Sequence, residues 1–365
     1  MRVLHLTPEP PSLTGTGGAA RQHHLIERLR DLGHEVTVVA PERPASKFVE
    51  GLAALRARPR LVVEGADLPV LAWQAQVFWA SMRPRALAGA RKADVVVVEH
   101  DHAAAWRREL PDVPSVLTLH NVGPRYYGAR GFRIEMARFE RHDRRTFPLY
   151  DRLVAVSQDD AGAARSLADV PVDLVPNGVA TDELTPRPER EGPPTLLFTG
   201  TMSHPPNAEG IGWFVRRVLP KVPDARLLVV GRDPPERVRR LAGERVDVTG
   251  AVPDIAPYFE RATVVVVPLL SGGGTRLKIL EALAAGRAVV STTIGAEGLD
   301  VVHERDILLA DGVDELAAAP NRLLGDPELR RTLATEGRRL VEERYDWRAI
   351  GDRLADTLRK ATERG

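Results

Sequence analysis

Three consecutive glycines, Gly272, Gly273 and Gly274, followed by Thr275, Arg276 and Lys278, have the composition of an anion site. In ATVVVVPLLSGGGTRLKILEALAAGRAVVST (262–292) a strand ends at Pro268, the glycines form a loop, and the spacing starts a helix near Thr275. Backbone N–H groups at a helix start, left open by glycine, suit a diphosphate. Arg276 and Lys278 put two positive charges in the first helical turn, where the helix dipole disfavours them and an anionic ligand reverses the penalty. Glu281 lies one turn on, placed to accept hydrogen bonds from ribose hydroxyls. A strand-to-helix turn with a merely solvated helix face is the plain alternative; loop and charges together favour the anion site.

Four further groups follow predicted strands. The opening TPEPPSLTGTGGAA contains Gly15, Gly17 and Ala20 as G-x-G-x-x-A, with Glu42 as a candidate ribose acid. A dinucleotide fingerprint turns tightly from strand to first glycine, and here Pro8 to Thr14 intervene, so a longer loop ahead of Gly17 and Gly18 suits a lid over a ligand. Glu99, His100, Asp101 and His102 follow the run ADVVVV. Neighbouring side chains on an extended chain point opposite ways, so this cluster fits a cleft lining that bonds sugar hydroxyls better than a metal site. His120 and Asn121 end LTLHN, as site residues or as a satisfied structural histidine. The basic run RYYGARGFRIEMARFERHDRRTF, with Arg125 and Tyr126, reads as a solvated helix face or as a contact for an acidic acceptor or membrane surface.

These residues need a scaffold that brings strand ends together. Short β-branched runs alternate with longer amphipathic stretches: VLHLT, HEVTVVA, ADVVVVEH, SVLTLHN and RLVAVS, then TLLFTG, RLLVVG, VDVTG, ATVVVVP, AVVST and ILLAD. Their apolar cores lack polar alternation, as in parallel strands covered by helices on both faces. The fold class is α/β, with two doubly wound parallel-sheet domains, 1–180 and 194–345. The segment 180–193, rich in proline and charge, reads as a linker. The closing DWRAIGDRLADTLRKA has helical spacing in Trp347, Ile350, Leu354 and Leu358, and could pack on either domain.

Bulk composition agrees. A chain of 365 residues exceeds one ordinary core. The net charge of +1 provides no global field toward nucleic acid, so any polyanion site is local. The absence of cysteine excludes disulfides and thiolate metal sites. The N-terminal apolar run meets prolines too early for a signal peptide, and no apolar run approaches a membrane span. The expected location is cytoplasmic, with at most peripheral contact at the inner face of the membrane.

In this order the motifs resemble the family 4 retaining glycosyltransferases of the GT-B fold, across nearly the whole chain. GGAARQHHLIERLRDLGHEVTVVAP looks like the family's glycine loop, first helix and second strand; TLHN, DRLVAVS and VPNGV follow. FTGTMSHPPNAEGIGWF, VVGRDPP, VTGAVPDIAPYF and PLLSGGGTRLKILEALAAGRAVVST are similar to a bacterial subgroup that decorates polysaccharides and glycoconjugates. The resemblance implies two facing Rossmann-like domains, with helix 346–365 returning to the first. It implies that the Gly17–Gly18 loop closes on the donor diphosphate, that His120 faces the donor sugar, that Gly200, Thr201 and Gly231 line the donor site and that Glu281 binds ribose. His100, Asp101, Asn121, Arg125 and Tyr126 fall on the acceptor side. Two departures stand out: the family's first glutamate, eight residues before Glu281, is Gly273 here, and the usual arginine–lysine pair after the first strand of the second domain is replaced by TGTMSHPPNAEG.

The expected activity is metal-independent, retaining transfer of a sugar from a nucleotide diphosphate donor to a glycan or lipid-linked acceptor, without cofactor. No D-x-D triplet follows a strand, so the charge developing on the diphosphate falls to glycine amides, the helix dipole, Arg276 and Lys278. Two rivals are a GT-B nucleotide-sugar 2-epimerase using Glu99 to His102 as acid and base, and a degenerate transferase serving as partner subunit.

Overall fold

The computed structural model describes residues 1–13, 17–41, 69–188, 192–271 and 276–363. The chain divides into two compact units: Met1–Asn177 with Arg348–Gly365, and Gly178–Trp347.

The first unit holds a six-stranded parallel sheet of β1 (Arg2–Leu6), β2 (Glu35–Val39), β3 (Val95–Glu99), β4 (Ser115–Leu119), β5 (Arg152–Ala155) and β6 (Val172–Leu174), in the order β2-β1-β3-β4-β5-β6. Its helices are α1 (Gly17–Asp31), α2 (Val70–Ala90), α3 (Gly123–Gly128), α4 (Arg133–Thr146) and α5 (Gln158–Leu167). Every residue of β3 and β4 is buried, which is why these runs carry no polar alternation; edge strand β2 alternates instead. A 3-10 helix, Asp101–Glu109, follows β3 and is pinned to α2 by the Trp106 indole, which donates to Ala75 O at 3.1 Å.

The second unit repeats the plan with β7 (Thr195–Thr199), β8 (Arg226–Val230), β9 (Val246–Gly250), β10 (Val264–Val267), β11 (Val289–Ser291) and β12 (Leu308–Leu309), ordered β12-β11-β10-β7-β8-β9. All five pairings are parallel. Its helices are α6 (Pro205–Arg217), α7 (Glu236–Arg239), α8 (Ala256–Arg261), α9 (Leu277–Ala284), α10 (Gly312–Gly325) and α11 (Pro327–Arg344). Its core runs through all residues of β7 and β10 and the apolar face of α9.

The final helix, α12 (Trp347–Thr362), belongs to the first unit. It packs on α1, where a Cβ at Gly351 would lie 2.3 Å from Arg28 Cγ and Arg28 Nε donates to Asp352 at 2.9 Å. Among the described residues no helix is long and apolar enough to cross a membrane.

All eleven expected strands form, so the α/β architecture of two doubly wound sheets is as the sequence predicts. The three-residue edge strand β6 escapes sequence reading because VDL is half-buried and lacks an apolar core. The proline-rich segment expected as an unpacked linker is packed on the second unit. Arg338 donates to Leu184 O at 2.6 Å and Thr181 O at 2.8 Å, and Arg287 donates to Arg187 O at 2.9 Å. Arginines thus fasten the segment's backbone, and its Leu184 packs against the core of the second unit.

Replacing Arg338 with methionine leaves partly buried carbonyls without donors and should lower the unfolding free energy by about 1–3 kcal/mol. A urea denaturation midpoint equal to wild type would contradict this role.

Candidate functional site

In the second unit the chain leaves β7 for β8 on one side and returns to β10 on the other, which makes the β7/β10 boundary the topological switch point where open sheets bind ligands. Gly200 and Thr201 follow β7, Gly231 and Arg232 follow β8, and α9 follows β10. The two glycines touch: a Cβ at Gly231 would lie 1.7 Å from Gly200 O, and both have backbone angles that side chains rarely adopt, with φ +156° and +143°. A Cβ at Gly200 would lie 2.9 Å from both Lys278 Nζ and Asn207 Nδ2, so only glycine lets the ammonium and the amide pack directly against the backbone here.

Lys278, in the first turn of α9, donates to Asn207 Oδ1 at 2.7 Å and lies over the Phe198 ring, 4.2 Å from its centroid. Asn207, on α6, is itself set by donation from Nδ2 to Thr201 O at 2.8 Å. Part of the Lys278 side chain meets solvent, yet its ammonium is closed in by protein, and burial pushes its pKa down to about 7 against the opposing charge of Glu281. Burial likewise raises the Glu281 carboxyl, with Lys278 acting against it. The amide, the ring and one carboxyl do not fully replace water around a cation, which is the condition under which an anionic ligand binds strongly.

Arg276 departs from expectation. It is buried just before α9 and donates to Ile294 O at 3.0 Å, with Glu297 at 3.5 Å, so it braces the turn after β11 while its charge still acts on Lys278. A buried guanidinium needs acceptors, and that turn provides them. The helix begins at Leu277, two residues later than expected. Gly272, Gly273, Gly274 and Thr275 lie outside the described residues, as do Gly15 and Glu42 of the dinucleotide-like pattern. Arg232, which sequence reading passed over although it follows Gly231 at a strand end, donates to Thr201 Oγ1 at 3.2 Å. Beside it a cleft of about 480 Å³, lined by Asp233, Pro234, Arg239, Val248, Thr249 and Gly250 among others, opens at the carboxyl ends of β8 and β9.

In the first unit the switch point lies between β1 and β3. Gly17 and Gly18 open α1, whose first turn carries no carboxylate. His120 Nε2 and Glu99 Oε2 are 2.6 Å apart, and the His100 ring stacks on His120 with centroids 4.0 Å apart. His100 has φ 73°, one of three positive values at non-glycine residues among those described, and Asp233 beside Gly231 is another. Such strain tends to persist where surrounding structure enforces it at functional edges. Burial, then His120, His102 and His5, hold His100 well below the usual histidine range.

The cluster expected as a cleft lining is divided. Glu99 is 1% exposed and turned to His120, so it does not meet solvent. Asp101 accepts from Gly123 N at 3.0 Å and from His102 N at 2.7 Å, holding the start of α3 rather than facing an acceptor. No three histidine or carboxylate groups among the described residues are placed to hold one metal ion. Arg125 is engaged by Asp159 and Asp160, at 3.0 and 3.3 Å. Tyr126 lies under Arg130, whose guanidinium carbon is 3.7 Å from the ring centroid, and Asn121 is half-buried after His120. Farther along the basic run, Phe132 and Ile134 are 58% and 72% exposed.

Two family descriptions divide the chain as the structure does: "Glycosyltransferase Family 4" matches residues 16–183 and "Glycosyl transferases group 1" matches residues 193–326. The chain is a family 4 glycosyltransferase of the GT-B fold. Among its relatives, the phosphatidyl-myo-inositol mannosyltransferase of Mycolicibacterium smegmatis is 27% identical, covering 92% of this chain and 89% of the relative. The GDP-mannose-dependent alpha-(1-6)-phosphatidylinositol monomannoside mannosyltransferase of Mycobacterium tuberculosis is 27% identical over 83% of this chain and 78% of its own. Among solved structures, sucrose-phosphate synthase from Thermosynechococcus elongatus superposes with a TM-score of 0.74 at 19% identity, covering 99% of each chain. Anabaena HepE in complex with UDP-glucose gives 0.70 at 15% identity, covering 99% of this chain and 100% of that one. At those identities the likeness is one of fold.

For this glycosyltransferase, Gly231→Ala forces either the Gly200 carbonyl or the β8 end to move, and strain of this kind costs about 1–3 kcal/mol. The variant should melt below wild type and lose the Lys278–Asn207 geometry; an unchanged melting temperature would refute the close approach.

Proposed function

We propose that this glycosyltransferase binds a nucleotide diphosphate sugar in its second unit, with Lys278 as the cation that meets the diphosphate, and transfers the sugar with retention and without a metal ion. The observation that carries the reading is the partly buried Lys278 ammonium, held by Asn207 and the Phe198 ring directly against the backbone of Gly200. A cation already stripped of water stabilises charge developing on the leaving diphosphate without reorganising at the moment of reaction. It arrives from α9, whereas the family's usual pair comes from the loop after β7.

Glu281, whose carboxyl is raised by burial, suits hydrogen bonding to ribose hydroxyls, and the cleft beyond β8 and β9 suits the base. Gly200, Thr201 and Gly231 allow close approach of the phosphates. In retaining transfer the acceptor attacks from the face the diphosphate leaves, and the departing phosphate oxygen takes its proton. His120 faces the sugar. Asn121 and His100 lie on the acceptor side.

The acceptor is a glycan or a lipid-linked glycoconjugate. The names of the mannosyltransferase relatives support the lipid-linked form, as do the exposed Phe132 and Ile134 near Arg130 and Arg133, a composition suited to peripheral contact with an anionic membrane surface.

Thermal shift and sugar release across a panel of nucleotide diphosphate sugars, with and without chelator and with free or vesicle-borne acceptors, test this reading. A chelator-insensitive shift with one donor is expected. Lys278→Met should weaken that donor by about 1–3 kcal/mol, roughly 5- to 150-fold in Kd. Wild-type affinity in the variant would remove Lys278 from the site, and no shift with any donor would leave the degenerate-partner reading.

A further inference from the structure

In the first unit a carboxylate lies where burial penalises it most. Glu99 ends β3, is 1% exposed, and interrupts an otherwise apolar run. Burial pushes its pKa up, but the hydrogen bond from His120, with the neighbouring His120, His5 and Arg21 groups, outweighs burial and holds it below the usual carboxylate range. Glu99 is therefore ionised at neutral pH and can only accept hydrogen bonds.

Its neighbours differ in what they can donate. Arg21, fully buried on α1, gives Nη1 to Pro176 O and Asn177 Oδ1, the latter at 3.0 Å, and Nη2 to Val175 O at 2.7 Å. That guanidinium supplies charge near Glu99 while its terminal nitrogens serve the chain after β6. His5 Nε2 stands 3.4 Å from Glu99 Oε1 and equally 3.4 Å from Gln22 Oε1, long for either bond. His120 Nε2, at 2.6 Å, is the close partner.

We infer that Glu99 is a positioning residue for His120: by taking the hydrogen bond from Nε2–H it selects the neutral tautomer whose Nδ1 lone pair is the acceptor the ring presents, and it fixes where that lone pair points. The stacked His100 ring constrains the plane of the imidazole, and Glu99 constrains its rotation and its tautomer. No second hydrogen bond to the His120 ring is present among the described residues, and the side chain keeps 11% of its surface exposed. Nδ1 is thus free to accept from a hydroxyl of the bound sugar. The opposite tautomer would offer that hydroxyl an N–H instead. This inference rests on the transfer reading above for what His120 faces, and on geometry alone for the tautomer.

The experiment uses the full chain labelled with 15N-histidine, with the His120 resonances assigned by comparison with His120→Gln. Long-range 1H–15N correlation should show wild-type His120 protonated at Nε2. In Glu99→Gln, whose amide can donate as well as accept, the tautomers should mix. Sugar release from whichever donor the panel selects should fall by about ten- to a hundredfold, by analogy with groups that orient histidines at metal centres. Donor Kd should stay within about twofold, and Glu99→Asp should restore part of the rate. An Nδ1-protonated ring in wild type, or a Glu99→Gln variant with unchanged tautomer and unchanged turnover, would overturn the inference. If Glu99→Gln melts well below wild type, the wild-type tautomer and the Glu99→Asp rate decide it. If no donor binds the wild type, the transfer reading fails separately while the tautomer still tests the geometry.

Discussion

A lysine ammonium held away from water by an amide oxygen and an aromatic face is the constraint to which the second unit is fitted. Lys278 requires Asn207 Oδ1, and Asn207 is oriented by Thr201 O. Those contacts require residue 200 to lack a side chain, and the carbonyl of Gly200 in turn requires residue 231 to lack one. Four segments, the ends of β7 and β8 and the starts of α6 and α9, are thus fixed relative to one another by a single charge and its surroundings. On the proposed reading, an anionic ligand offsets the cost of holding a cation in that state, which would tie the packing of this region to what it binds.

The first unit solves the converse problem, a carboxylate held away from water. Glu99 remains charged because His120, His5 and Arg21 surround it, and Arg21 in turn is anchored by carbonyls at 175 and 176. Both arrangements sit at carboxyl edges of parallel sheets beside the switch point, where strand ends diverge and leave room for groups that the core could not hold. The fold supplies two such edges; the chemistry differs because one is built round a cation and the other round a carboxylate–imidazole pair.

The strands were legible because a covered parallel strand leaves an unbroken apolar run, as in VVVV at 95–98 and at 264–267. The same pattern pointed to the strand ends as the place for a site, since open parallel sheets bind ligands there. What eluded sequence reading was direction. Arg276 and Lys278, two residues apart, look equivalent in the sequence, but one is turned to Ile294 O and the other to Asn207. Asp101 and Arg125 looked free to meet an acceptor and are engaged by Gly123 N and by Asp159 and Asp160. The signal for Glu99 was present: a carboxylate directly after four valines is expensive to bury without a partner. Naming that partner needed β4 beside β3, a pairing of residues twenty-one apart that no local motif records.

Calorimetry of nucleoside diphosphate binding, repeated in buffers of different ionisation enthalpy, tests Lys278 most directly. With a free pKa of about 7, raised when the diphosphate binds, the ammonium is already protonated below that pH and must take up a proton above it. Binding at pH 8 should therefore take up close to one proton, affinity should fall as pH rises through and above about 7, and both effects should vanish in Lys278→Met. Tight binding with no proton uptake at pH 8, and no fall in affinity between pH 7 and 9 at roughly constant ionic strength, would contradict the account.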